Sequence, residues 1–147
     1  MRALFQTLLR WRLRASLWIR RKLRRKVAPT EPIARYLTSS GQFAPTKGVI
    51  KRSALMPGKD GKTSIFRVGG LTSAQIVEIG RREVGQLRTL HGWGAVGASA
   101  VLEVGLSFEP NDVPPRHANI IGWPNDQEER IERAQDLAAK AWKLTLV

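Results

Sequence analysis

The residues best suited to chemistry in this chain are two histidines and two arginines: His91 in His91-Gly92-Trp93-Gly94, His117 in Arg116-His117-Ala118, and Arg67 and Arg116 as candidate partners for a developing negative charge. Two imidazoles can act as general acid and general base in phosphodiester cleavage, with an arginine stabilising the charge on phosphate. Plainer roles compete with this. His91 falls where a helix is expected to end, and a cation there suits the helix dipole without catalysis. His117 falls in an expected strand, where one hydrogen bond near the core would satisfy it.

A second group of residues points to binding rather than turnover. Arg52 shares an expected strand face with Ile50 and Ala54, and Arg67 shares one with Ile65. A cation on an apolar face is costly unless it is paired or meets an anion, so Arg52 and Arg67 are candidates for a phosphate or carboxylate site. The alternative places both on the solvent side, with their stems covering apolar surface. Lys47, Lys51, Lys59 and Lys62 make the same stretch basic.

Gly92, Gly94 and Gly97 satisfy G-x-G-x-x-G, but a dinucleotide fingerprint needs a strand before the glycines and a helix directly after. A helix is expected before them, so they read as a flexible connection. Gly58 to Thr63 does not have the spacing of a phosphate-binding loop. With no cysteine there is no disulfide framework, thiolate metal site or thiol catalysis, and two histidines exclude a three-His centre. A mixed His/carboxylate site stays arithmetically open; no cofactor or metal is expected.

The chain has 147 residues with 42% hydrophobic content, enough for one modest core. Its net charge is +13, from 25 basic and 12 acidic residues, which points to polyanionic partners such as nucleic acid, anionic lipid or an acidic protein. The first 28 residues hold ten of the cations and no acid: Arg2, Arg10, Arg12, Arg14, Arg20, Arg21, Lys22, Arg24, Arg25 and Lys26. At helical spacing Leu4, Phe5, Leu8, Leu9, Trp11, Trp18, Ile19 and Leu23 gather on one half of the wheel, and Pro29 and Pro32 end the pattern. Arginines interrupt every apolar stretch, which excludes a transmembrane span and a secretory signal. The helix therefore reads as an arm neutralising phosphates, as an interfacial helix on anionic lipid with Trp11 and Trp18 at headgroup level, as an organelle transit peptide, or as a helix packing its Leu/Trp face on a protein.

These residues must be positioned by the elements that follow. Glu31 to Ser40 has Ile33, Ala34 and Leu37 at helical spacing and is expected to be a short helix. Lys47 to Met56 and Thr63 to Val68 flank a Pro/Gly/Asp turn cluster and are expected to form a β-hairpin. Thr72 and Gln75 make a capping box for a helix to about Leu90, with Ile76, Gly80, Val84 and Leu87 as its buried stripe and Gly80 marking close packing. A short helix over Ala98 to Val104 and a short strand at Leu106 to Phe108 come next, then a loop over 109 to 115 and a strand from Arg116 to Gly122. Asp126 and Glu129 make a second capping box for a last helix that buries Ile131, Ala134, Ala138, Ala141 and Trp142. Trp93 and Trp123 read as turn residues, and the signatures of the common nucleic-acid-binding folds are absent from the sequence.

The sequence thus predicts a small single α+β domain over 29–147, with a β-hairpin, two further short strands and packed helices, preceded by a basic amphipathic helix over 1–28. The expected role is that of a nucleic-acid-associated accessory or structural subunit within a larger complex, cytoplasmic unless the first 28 residues direct organelle import. It would contact phosphates of RNA or DNA through Arg10, Arg12, Arg14, Arg20, Arg21, Lys22, Arg24, Arg25 and Lys26 and through Lys47, Lys51, Arg52, Lys59, Lys62 and Arg67. The alternatives are an RNase-like phosphodiesterase, as a toxin or defence component, using His91 and His117, and a scaffold on an anionic membrane or a protein partner.

Overall fold

The computed structural model describes residues 25–147. The amphipathic helix expected over 1–28, with Arg10, Arg12, Arg14, Arg20, Arg21, Lys22 and Arg24, therefore lies outside the described residues up to position 24. Arg25 to Ala28 form an irregular lead into the first strand, pinned by Val27, which is buried.

That strand, β1 (Pro32–Leu37), runs through the middle of the sheet. Ile33 and Leu37 are buried on one face, and Ala34 and Tyr36 on the other. A strand buried on both sides loses its polar alternation, and Ile33 and Leu37 then show the same four-residue spacing as a helix face. The helix expected over Glu31 to Ser40 is corrected accordingly. Pro32 is tolerated because it stands at the first residue of the strand.

After a short 3-10 turn (Ser40–Gln42), β2 (Phe43–Ala44) and β3 (Val49–Ile50) form a small separate hairpin. A second 3-10 turn (Arg52–Ala54) leads to β4 (Thr63–Arg67). The hairpin expected between 47–56 and 63–68 does not form. Ala54 and Leu55 turn fully into the core instead of alternating, β3 pairs back onto β2, and β4 enters the main sheet between β1 and β7.

The capping box of Thr72 and Gln75 opens α1 (Ser73–Glu83), whose helix stops seven residues earlier than expected. Ile76 and Gly80 are buried as anticipated, whereas Leu87 lies beyond the helix and is 90% exposed. The glycine-rich stretch is not a flexible connection: it is β5 (Gly92–Gly97), fully paired with β1. A Cβ at Gly94 would lie 2.5 Å from Ile50 Cγ2, so glycine here lets the small hairpin settle on the sheet.

Beyond it come α2 (Ala98–Glu103), β6 (Ser107–Pro110), β7 (His117–Ile121), α3 (Gln127–Lys140) and β8 (Lys143–Leu146). Asp126 accepts from the Glu129 N–H at 3.0 Å and so caps α3, but the Glu129 side chain does not return the contact, so the expected capping box is only half formed. β8 was not expected, and Trp142, expected in the core, is 58% exposed just before it.

All neighbours in the sheet are antiparallel, in the order β6-β7-β4-β1-β5-β8. One face carries the larger core, with Ile33, Leu37, Leu55, Ile65, Val96 and Ile120 packed under α2, α3 and the second 3-10 turn. The other face carries a smaller core of Ala34, Tyr36, Phe66, Val68, Trp93 and Ala95 beneath Ile76 and Ile79 of α1. Neither β6 nor β7 contributes to this second core. Their polar residues on that face are therefore left uncovered by α1.

Candidate functional site

On β7 the pattern is strict: Ala118 and Ile120 are buried, while His117, Asn119 and Ile121 between them are half-buried. Phe66 on β4 stands directly opposite His117, and Ser64 is its diagonal neighbour, opposite Asn119. Ser64 Oγ and His117 Nε2 are 2.6 Å apart. On the other side of the ring, His117 Nδ1 is 2.7 Å from Asn111 Oδ1, in the loop between β6 and β7.

The tautomer follows from the loop. Asn111 Oδ1 also accepts the Val113 backbone N–H at 3.2 Å, an Asx-type turn that fixes the carbonyl oxygen rather than the amide nitrogen toward this side. His117 Nδ1 must then donate to it, which leaves Nε2 as an acceptor for the Ser64 hydroxyl proton. Three side chains are thus aligned as hydroxyl, neutral imidazole and orienting acceptor. The Phe66 ring meets His117 edge-on at 5.3 Å and 74° and limits its rotation.

The neutral form of the imidazole is further favoured by its surroundings. Burial lowers the His117 pKa below 6.5, the nearby Arg35 charge lowers it further, and Asp112 opposes both. Asp112 stands next in the same loop, donates its N–H to the His117 carbonyl at 3.0 Å, and has one carboxylate oxygen buried without a hydrogen-bond partner among the described residues.

Arg35 explains why the sheet opens at this point. The ladder between β1 and β4 joins only Ile33 to Arg67 and Ala34 to Phe66, whereas β1 stays paired with β5 as far as Leu37. Where the β4 ladder ends, the guanidinium takes over: Nη1 donates to the Ser64 carbonyl at 2.9 Å and Nε to the Ala54 carbonyl at 2.7 Å. Both acceptors are neutral, and no carboxylate pairs with Arg35 among the described residues. Burial lowers its pKa, and so does the charge of Arg88. The two arginines line one cleft of about 260 Å³ with Thr38, Ser64, Phe66 and Leu87. Glu83 also lines it, but its carboxylate is tied to Arg82 at 2.9 Å.

The residues singled out in the sequence are distributed differently. His91 and His117 are not brought together: His91 precedes β5, with its ring 5.7 Å from Phe43, and β4 and β1 separate that strand from β7. Arg67 is held by both oxygens of Glu31, and Arg116 donates to the carbonyls of Arg67 and Gly69. Lys62 is paired with Glu109 at 2.9 Å. Arg25, Lys26, Lys47, Lys51, Arg52 and Lys59 are exposed. Arg35, Ser64, Asn111 and Arg88 were missed, although an arginine inside the apolar run Pro32 to Leu37 is the same signal that drew attention to Arg52 and Arg67. Among the described residues no cluster of His, Asp or Glu could hold a metal ion, and no helix is long and apolar enough to cross a membrane.

Comparison of the chain with protein-family models, with curated proteins and with solved structures finds no match.

Proposed function

We propose that this chain is a small basic nucleic-acid-associated accessory or structural subunit that contacts phosphates. The observation that carries the reading is the convergence of Arg35 and Arg88 on one cleft. Burial and the Arg88 charge disfavour the charge of Arg35, and among the described residues no carboxylate pairs with Arg35 to offset the cost. An anion entering the cleft relieves that cost, and the guanidinium fork suits a phosphate oxygen pair. The ten cations of residues 1–28 extend the electrostatic footprint, and exposed Lys47, Lys51, Arg52 and Lys59 add to it.

The test is fluorescence anisotropy of labelled single- and double-stranded RNA and DNA with the full chain, across a salt series. If all ten N-terminal cations engage phosphate, log affinity falls against log salt with a slope of about −7 to −9. Arg88→Gln is expected to weaken binding for every sequence and to reduce the slope by about one. Absence of binding at low salt, or binding only to anionic vesicles, would overturn the reading.

A further inference from the structure

The geometry points to a second capacity that does not rest on nucleic-acid binding: Ser64 is the nucleophile of an acyl-transfer site, with His117 as its general base, Asn111 as the positioning residue and an anionic carboxylic ester as substrate. Three observations converge on it. The hydroxyl meets the acceptor nitrogen of a neutral imidazole at 2.6 Å, the other ring nitrogen is held by an oxygen whose identity the Val113 N–H fixes, and Ser64 lines a cleft. A nucleophile, a base and an orienter within hydrogen-bond reach form the arrangement that activates a serine.

The reaction class follows from the number of bases. In-line displacement at phosphorus puts the leaving oxygen opposite the attacking one, so a base beside the nucleophile cannot protonate it. A tetrahedral carbon intermediate keeps both oxygens on the same side as the imidazole, and one histidine serves both steps. His117 is the only imidazole at this site, because His91 lies across the sheet.

In the first step Ser64 Oγ bonds to the ester carbonyl carbon, its proton passes to His117 Nε2, and the carbonyl electron pair moves onto oxygen. Collapse re-forms the carbonyl and breaks the carbon–alkoxy bond, and the alkoxide takes the proton from Nε2 and leaves as an alcohol. Water then attacks the acyl-Ser64, giving its proton to Nε2; the carboxylic acid departs and the proton returns to Ser64 Oγ. Ester and water become acid and alcohol, and no oxidant or other co-reactant is needed. Asp112 stabilises the imidazolium formed in each half. Arg35, fixed by the Ser64 and Ala54 carbonyls, brings positive charge to the cleft that Ser64 lines, where it favours a developing oxyanion, and Arg88 on the cleft wall selects a substrate bearing a phosphate or carboxylate.

The experiment treats the full chain with a fluorophosphonate and maps the adduct by peptide mass spectrometry, then follows hydrolysis of the mono-p-nitrophenyl ester of succinic acid and of neutral p-nitrophenyl butyrate. The proposal expects one adduct, on Ser64, formed about 10²–10⁴-fold more slowly in His117→Gln. It expects ester turnover to be lost in Ser64→Ala, and a preference for the anionic ester that falls in Arg88→Gln. Asn111→Ala should slow labelling, while Asn111→Asp restores it with the acid limb of the rate moved to higher pH, a shift that a merely structural role would not produce. The wild-type adduct needs no variant to fold. An unlabelled Ser64, labelling indifferent to His117→Gln, or turnover that survives Ser64→Ala overturns the assignment, and equal rates on the two esters overturn the anionic class. Nucleic-acid affinity in Ser64→Ala is read separately, so either proposal can fail alone.

Discussion

Arg67 and Glu31 meet in a two-pronged ion pair, Nε 2.8 Å from Oε1 and Nη2 2.9 Å from Oε2, while Nη1 donates to the Arg25 carbonyl at 2.6 Å. Every nitrogen of the guanidinium is engaged, so this arginine ties the lead-in segment to β4 rather than waiting for phosphate. Its side chain is 14% exposed, which removes much of the solvent screening that weakens surface pairs. Arg67→Met is expected to cost about 1–3 kcal/mol in denaturant unfolding. The salt slope for nucleic acid should stay unchanged. A slope reduced as much as in Arg88→Gln would return Arg67 to the binding surface.

Acid should weaken the fold through two groups whose losses begin at different pH. His117 is held below its ordinary 6.5 by burial and by Arg35, so the unfolded chain takes up its proton first as pH falls. The stability it contributes is whole above 6.5 and is lost as pH falls through the lower folded value. For Glu31, burial raises the pKa, but the Arg67 hydrogen bonds, the Ala28 N–H and the Arg67 charge outweigh it and hold the carboxyl below 4.5. Its contribution is whole above 4.5 and is lost further into acid. Urea midpoints measured from neutral pH downwards should decline in both windows, with His117→Gln removing the first and Glu31→Gln the second. A first decline that persists in His117→Gln would mean that another group titrates there.

Gly80 on α1 faces the ring of Tyr36 on β1 so closely that a Cβ would lie 2.5 Å from Cε1 and 2.9 Å from Cδ1. The ring has nowhere to retreat: it is 3% exposed, its hydroxyl donates to the Ile76 carbonyl at 2.5 Å, and Phe66 packs edge-on at 5.2 Å. Burial of this phenol and the loss of its ionised form's solvation push its pKa upward, so it remains a donor throughout the physiological range. In an open helix, Gly→Ala gains up to about 1 kcal/mol. Here overpacking of about 1–3 kcal/mol should outweigh that gain, and Gly80→Ala should melt lower. A higher melting temperature would show that α1 can lift from the sheet, which would also widen the cleft at Arg35.

Much of the fold was legible wherever local chemistry decides it. The Thr72 and Asp126 caps, the α2 helix, the strand at His117 and the close packing at Gly80 follow from side chains that act on their own neighbourhood. Of the three central strands only β4 was legible, because burial on both faces erases the alternation that identifies a strand: β1 imitated a helix, and the glycines of β5 imitated a loop. The site suffered more, because it is an affair of register. Ser64, Asn111 and His117 become neighbours only when β4 pairs with β7, and Arg35 reaches them only where β1 parts from β4. His117 could be found from its type alone, but its partners could not.

Trp93 and Trp142 exchange the roles that their sequence neighbours suggest. Trp93 stands between two glycines, yet it is 2% exposed in β5, because that strand is paired with β1 and β8 on either side and the ring joins the smaller core beneath α1. Trp142 ends the apolar pattern of the last helix, yet the helix stops at Lys140 and leaves the indole 58% exposed against Gly97. Trp93→Ala is therefore expected to cost about 3–5 kcal/mol in denaturant unfolding, the range for deleting a core aromatic. Trp142→Ala should fall within about 0.5 kcal/mol of the parent, as surface substitutions do. The difference decides what the end of α3 is for: if Trp142→Ala proves as costly as Trp93→Ala, the indole is buried in the intact molecule, and the face around Gly97 and Lys143 is a contact surface rather than a solvated edge.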